Sequence, residues 1–205
     1  MHIEFLVEEL SAEAALRNLV PKILGTDIPF RIHAYQGKRD LLTRLPARLR
    51  GYRSWLPEDW RIVVLLDADR EDCRQLKARL EETALAAGLV TKSAAVPGSR
   101  IEVLNRLAIQ ELEAWFFGDV AALQTAYPRL GPRLGTQSRF RDPDAIPDTW
   151  EALEREFQRC GYFPAGLPKI QIARTVSAHM EPERNRSQSF QHFRQGLLAL
   201  AGSHS

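Results

Sequence analysis

Apolar positions along this chain switch repeatedly between a period of two residues and a period near 3.6, and the switching predicts the architecture. Ile3–Phe5–Leu6–Val7 is a short strand-type run, followed by Ser11 as an N-cap candidate and by Ala14, Ala15, Leu16, Leu19, Val20 and Ile23 at helical spacing until Gly25. Phe30–Tyr35 alternates as a second strand, Gly37 breaks it, and Leu41, Leu42, Leu45 and Leu49 mark a second helix that Pro46 either starts or kinks. Arg61–Leu66 is continuous and rich in β-branched residues, the pattern of a strand buried on both faces of a parallel sheet. Asp69 or Arg70 then opens a helix through Leu76, Leu80, Ala84 and Ala87, closed by Gly88. A short strand within 89–96, a segment at 101–104 and a helix from about Leu107 to Phe117 complete the alternation. Such alternation predicts an α/β fold: a mostly parallel, Rossmann-like sheet of about four to five strands, flanked by helices and joined by right-handed crossovers.

Beyond about residue 118 the strand signal ends. Pro128, Gly131, Pro132, Gly135, Pro143 and Pro147 punctuate a basic, loop-rich stretch carrying Arg129, Arg133, Arg139 and Arg141. Helices are predicted over Thr149–Gln158, Lys169–Met180 and Ser187–Ala201, with a frayed tail. The expected organisation is an α/β domain over 1–118 and a helical, loop-rich extension over 119–205, packed on it as one compact unit.

Composition narrows the class. The 205 residues are 44% apolar and 26% charged, which excludes collagen-like, disordered and mucin-like chains. Apolar runs reach about five residues, against roughly 20 for a bilayer span, so no membrane segment is expected. No secretory signal is apparent at the N-terminus, and Cys73 and Cys160 stand outside any CxxC, so a reduced, cytoplasmic protein is expected. His2, His33, His179, His192 and His204 lack zinc-ligand spacing. GxSxG, GxGxxG and the P-loop pattern are all absent. The formal charge of +2, from 28 basic and 26 acidic side chains, hides a segregation. Glu8, Glu9, Asp67, Asp69, Glu71 and Asp72 gather at predicted strand ends, while the second half is basic.

Those strand ends carry the candidate chemistry, because ligands of open α/β sheets sit beyond the carboxyl ends of strands at a topological switch point. A strand order of 2-1-3 brings Glu8 together with Asp67 and Asp69. Such carboxylates repel one another and gain protons unless a cation intervenes, and hard oxygen ligands suit Mg²⁺ or Mn²⁺. Glu8, Asp67 and Asp69 are therefore the metal-holding and catalytic candidates. A lone Asp after a strand is more often a helix cap or loop residue than a ligand, and it is Glu8 at a second strand end that raises the metal reading. Glu111 and Glu113, two apart, cannot share a helix face, so one of them is a further metal-ligand candidate while the other caps or solvates the helix. Lys38, after Gly37 at a helix start, and Arg39 are candidate phosphate contacts, the alternative being a plain turn. Lys169 is the candidate for stabilising charge on a reacting phosphate, or else a solvated helix residue. Arg184 and Arg186, beside Ser187 and Ser189, form either a phosphate-binding helix start or the flank of an ordinary N-cap at Ser187.

The pieces Phe5–Glu13 and Val63–Asp69 resemble the two halves of a Toprim domain, the metal-dependent module of topoisomerases, primases, recombination-repair proteins and the overcoming-lysogenization-defect nucleases. The Gly usual after the Toprim Glu is Glu9 here. Across its length the chain is similar to a bacterial family of proteins, domain of unknown function 4276, within the Toprim-like group. The matching pieces are Val7–Leu16, Gln36–Leu42, Leu65–Cys73, Ala108–Asp119 and Asn185–Phe193. The resemblance implies a Toprim-like site, Mg²⁺- or Mn²⁺-dependent cleavage of nucleic acid, DNA foremost, and work with a neighbouring ATPase in bacterial defence or DNA processing. Two alternatives stand beside it: a non-catalytic module docking on an ATPase, and a phosphotransfer enzyme using DxD to hold a metal-bound diphosphate. A homodimer stays open.

Overall fold

The computed structural model describes residues 1–202; the predicted frayed tail, with His204, lies outside the described residues. Four strands, β1 (His2–Val7), β2 (Phe30–Ala34), β3 (Trp60–Asp67) and β4 (Val103–Ala108), form an all-parallel sheet in the order β2-β1-β3-β4. β1 and β3 are neighbours, with Val7 opposite Leu65, so their carboxyl ends open side by side at the switch point. Side-chain alternation divides the core. Phe5, Val7, Val63 and Leu65 pack towards α1 (Leu10–Leu24) and the C-terminal helices, whereas Leu6, Ile62, Val64 and Leu66 pack with α2 (Lys38–Trp55) and α3 (Cys73–Ala86). Burial on both faces is the reason β3 reads as an unbroken apolar run.

The second half completes the first face with α4 (Glu113–Gly118), α5 (Val120–Ala126), α6 (Thr149–Arg159), α7 (Lys169–His179) and α8 (Gln188–Gly202). α7 runs alongside α1 in the same direction. Asn18 Nδ2 donates to Arg174 O and Ser177 Oγ, each at 2.9 Å, and Lys22 Nζ donates to the Ala178 and Met180 carbonyls at 2.7 Å. A cation on the last carbonyls of a helix answers both its orphan acceptors and its dipole. Trp115, wholly buried on α4, donates through Nε1 to Ser189 Oγ at 2.9 Å and ties α4 to α8. No helix among the described residues is long and apolar enough to cross a membrane.

Several sequence expectations are corrected. The strand expected within 89–96 is reduced to a single bridge from Thr91 to Val103. β4 runs through Leu107 to Ala108, where a helix was expected, because Leu107 continues the ladder opposite Leu66; α4 begins only at Glu113. α3 starts at Cys73 and not at Asp69 or Arg70: Asp69 has φ +50, which no right-handed helix accepts, and Asp72 caps the amides of Arg74 and Gln75 at 2.8 and 3.1 Å. Ser11 lies inside α1, where its Oγ donates to Glu9 Oε1 at 2.6 Å, and does not cap it. Pro46 neither starts nor ends α2, since buried Leu45, Leu49 and Tyr52 carry the helix past it. The loop-rich stretch conceals α5 and four short 3₁₀ turns between Pro128 and Ala145, pinned by buried Leu130, Leu134 and Phe140.

Candidate functional site

The two aspartates of the DxD part company at the end of β3. Asp67, the last strand residue, keeps the parity of Val63 and Leu65 and so faces α1, α4 and α7. An extended Asp69 would face the same way, but its positive φ turns it aside. The turn is held because Ala68 N donates to Ala108 O at 2.8 Å and Asp69 N to Gln110 O at 2.6 Å, Gln110 also having positive φ. Asp69, half exposed, instead receives Lys38 Nζ at 2.5 Å, and the same ammonium reaches Glu71 Oε1 at 3.0 Å and Ala68 O at 3.3 Å. Burial works against the Lys38 charge, yet Asp69 and Glu71 raise its pKa. Gly37, at φ +90, supplies the turn that places Lys38 at the start of α2.

On the other side a buried carboxylate cluster forms. Glu8, just past β1, accepts the Asp67 amide through Oε2 at 3.3 Å. Glu113, in the first turn of α4, has no exposed surface, and neither of its carboxylate oxygens has a hydrogen-bond partner. Burial, then the charges of Glu113 and Glu8, hold the Asp67 carboxyl well above its usual range. Burial likewise raises Glu8, against the Asp67 amide that accommodates its charge, and pushes Glu113 up to about 7 against the pull of Lys169. Lys169, at the first turn of α7, puts Nζ 2.7 Å from Glu9 Oε1 and 4.0 Å from Glu113 Oε1, and lies over the Trp150 ring at 5.4 Å. Burial opposes its charge, but Glu113, Glu9 and Asp67 together raise its pKa.

The donors of this arrangement can be set against the needs of a divalent cation. Among the described residues no three His, Cys, Asp or Glu side chains are placed, as they stand, to hold a metal ion. The donor set nevertheless fits one: hard oxygens from three elements, two of them buried without a donor, on groups that burial and mutual repulsion push towards protonation. A buried acceptor without a partner costs about 1–3 kcal/mol, which either a proton or a cation would offset.

Other expected residues fall elsewhere. Glu111 is no part of the cluster: its Oε2 accepts Thr149 Oγ1 at 2.8 Å and Trp150 N at 2.7 Å, capping α6. Arg184 forms a two-pronged pair with buried Asp119, at 2.8 and 2.9 Å, beyond the C-terminal end of α4. With six residues at 1.5 Å each, that end is about 9 Å along the helix from Glu113. Arg39 and Arg186 are exposed. The start of α8 is occupied internally, since Ser187 Oγ accepts the Phe190 amide at 3.1 Å and Asp144 accepts Ser189 N at 2.8 Å. Sequence reasoning missed Glu9 and Glu71 as the carboxylates that hold the two lysines; their acidity was visible, their partners were not.

No curated protein and no solved structure compared with the chain is a match. A family model does match, over residues 7–198, a span that takes in β2, β3, β4 and every helix but the final turn of α8. That family is the domain of unknown function DUF4276, and the chain belongs to it.

Proposed function

We propose that this chain is a Toprim-like, Mg²⁺- or Mn²⁺-dependent phosphodiester hydrolase of nucleic acid, acting on DNA first, in the cytoplasm and with a neighbouring ATPase. The observation that carries the reading is Glu113: a wholly buried carboxylate with two unpartnered oxygens, whose charge, like that of Glu8, acts on Asp67 where two adjacent parallel strands end. Glu8, Asp67 and Glu113 would hold the ion, with Asp69 at its margin. A bound ion supplies Lewis-acid polarisation of the phosphoryl oxygen and a more acidic water. Lys169, fixed beside the cluster, offers a positive charge to the reacting phosphate, while Lys38 and exposed Arg39 sit where the nucleic-acid backbone would run.

The test is nicking of supercoiled plasmid by purified protein with Mg²⁺ or Mn²⁺, with the neighbouring ATPase added in a parallel arm. Asp67→Asn and Glu113→Gln, checked for fold by circular dichroism, should each lose the activity. Nicking unchanged in both variants would overturn the assignment, as would a wild type that neither cleaves nor binds a divalent ion by calorimetry. One observation favours a second reading, a non-catalytic module docking on an ATPase: each lysine already neutralises the acids beside it, Lys38 with Asp69 and Glu71, and Lys169 with Glu9. A chain that binds the ATPase but shows no response to divalent ions would establish that alternative.

A further inference from the structure

Outside the carboxylate cluster, a cleft of about 740 Å³ runs along the outer edge of β4, between α3 and α8. It shares no lining residue with the cluster, and its size falls within the range of small-molecule sites. Lys77, Lys92 and Arg106 line it together with Leu107 and Ile109. Lys77 is paired with Glu81 and donates to Asn105 O at 2.9 Å. Lys92 and Arg106 are half-buried and form no ion pair among the described residues. The Arg106 guanidinium meets only the carbonyls of His192 and Asn105, both at 2.9 Å. Burial first, and then the charge of Arg106, depress the pKa of Lys92, while burial depresses that of Arg106 against the charge of Glu81, so two partly buried cations face one cleft.

Two carboxylates, Asp142 and Asp144, stand at the far end of the cleft, and among the described residues neither is ion-paired with Lys92 or Arg106. Asp142 accepts Asp144 N at 3.2 Å, and Asp144 is occupied by Ser187 Oγ at 2.7 Å and Ser189 N at 2.8 Å. Asn105, wholly buried, lines the floor, and its Oδ1 has no donor. The guanidinium is also built in. A Cβ at position 196 would lie 2.8 Å from Arg106 Nη2, so Gly196 of α8 is what leaves it room. Two adjacent cations suit a phosphate dianion better than a singly charged carboxylate, and the apolar wall asks for a ligand with a ring or chain attached.

We propose that this cleft binds a small organic phosphate of mononucleotide size, its phosphate on Lys92 and Arg106 and its ring against Leu107 and Ile109. The proposal is independent of the hydrolase reading, and the test keeps the two apart. Full-length protein is titrated calorimetrically in EDTA with AMP, adenosine and inorganic phosphate as probes. AMP should bind at least tenfold more tightly than adenosine or inorganic phosphate. Lys92→Glu, a change at a side chain that forms no ion pair or side-chain hydrogen bond among the described residues, should weaken AMP at least tenfold, and Asp67→Asn should leave it unchanged. No AMP binding to the wild type at millimolar concentration would overturn the proposal. So would adenosine or inorganic phosphate binding as tightly as AMP, AMP binding that survives Lys92→Glu, or AMP binding that is lost in Asp67→Asn.

Discussion

Lys169 Nζ stands 4.0 Å from Glu113 Oε1, so the first turn of α7 supplies the cation for a buried acid in the first turn of α4. The ammonium is shared with Glu9, and it leaves Glu113 holding its proton up to about 7. A carboxyl whose pKa rises from 4.5 to about 7 on folding binds a proton that the unfolded chain releases. The associated stability is complete below about pH 4.5 and is lost as pH rises through 7, a swing on the order of 3 kcal/mol. Urea unfolding in EDTA should therefore show Glu113→Gln gaining on the wild type steadily between pH 5 and 8. A pH-independent gap between the two would contradict the raised pKa.

Divalent ions should reverse that trend. At pH 8, Mn²⁺ at ten times its dissociation constant should stabilise the wild type by about 1.4 kcal/mol, a rise in Tm of roughly 3–5 °C for a domain of this size. EDTA should return the melting curve to its starting point. Asp67→Asn should melt at the same temperature with or without the ion, and scanning fluorimetry reads the difference directly.

Glu111 and Glu113 should separate cleanly. Glu111→Ala removes the acceptor at the start of α6 and should cost about 0.5–2 kcal/mol of stability, as lost helix caps do. The Mn²⁺-dependent rise in Tm should survive it. Glu113→Gln should do the opposite: keep α6 intact and lose the response to the ion.

Arg184 is expected to matter for folding. Arg184→Ala leaves buried Asp119 with only the amides of Ala122 and Glu181, and should cost about 1–3 kcal/mol by denaturant unfolding. Asp119→Asn in the same chain should recover part of that loss. Arg186→Ala, at an exposed side chain, should stay within about 0.5 kcal/mol of the wild type.

How much was legible in the sequence varies by element. The β1–β3 neighbourhood was the condition on which the acids at two strand ends could meet, and the sheet order meets it; the three late helices were placed almost to the residue: Thr149–Gln158 against Thr149–Arg159, Lys169–Met180 against Lys169–His179, and Ser187–Ala201 against Gln188–Gly202. Proximity of Glu8 and Asp67 came with the topology. Asp69 could not be read this way, because a left-handed residue in a non-glycine position leaves no periodic trace, and it turns the DxD into two separate contacts. The same blindness hid Gln110, and with it the late start of α4 that separates Glu113 from Glu111. Pairings across long sequence distances, Lys169 with Glu9 above all, are settled by helix packing that no local pattern encodes.

α7 is fastened at both ends: Lys22 of α1 holds its last carbonyls, and its own Lys169 reaches back to Glu9 at the head of α1. The helix thus acts as a strut whose polar fastenings lie on the first twenty-odd residues, while its flank also packs on α5. A backbone nick within the 3₁₀-turn stretch between Pro128 and Ala145 would leave both of these fastenings in place, whereas a chain ending there would lose α6, α7 and α8 with their share of the core, and the ammonium with them. Severing this protein and shortening it are, for its acidic pocket, opposite operations.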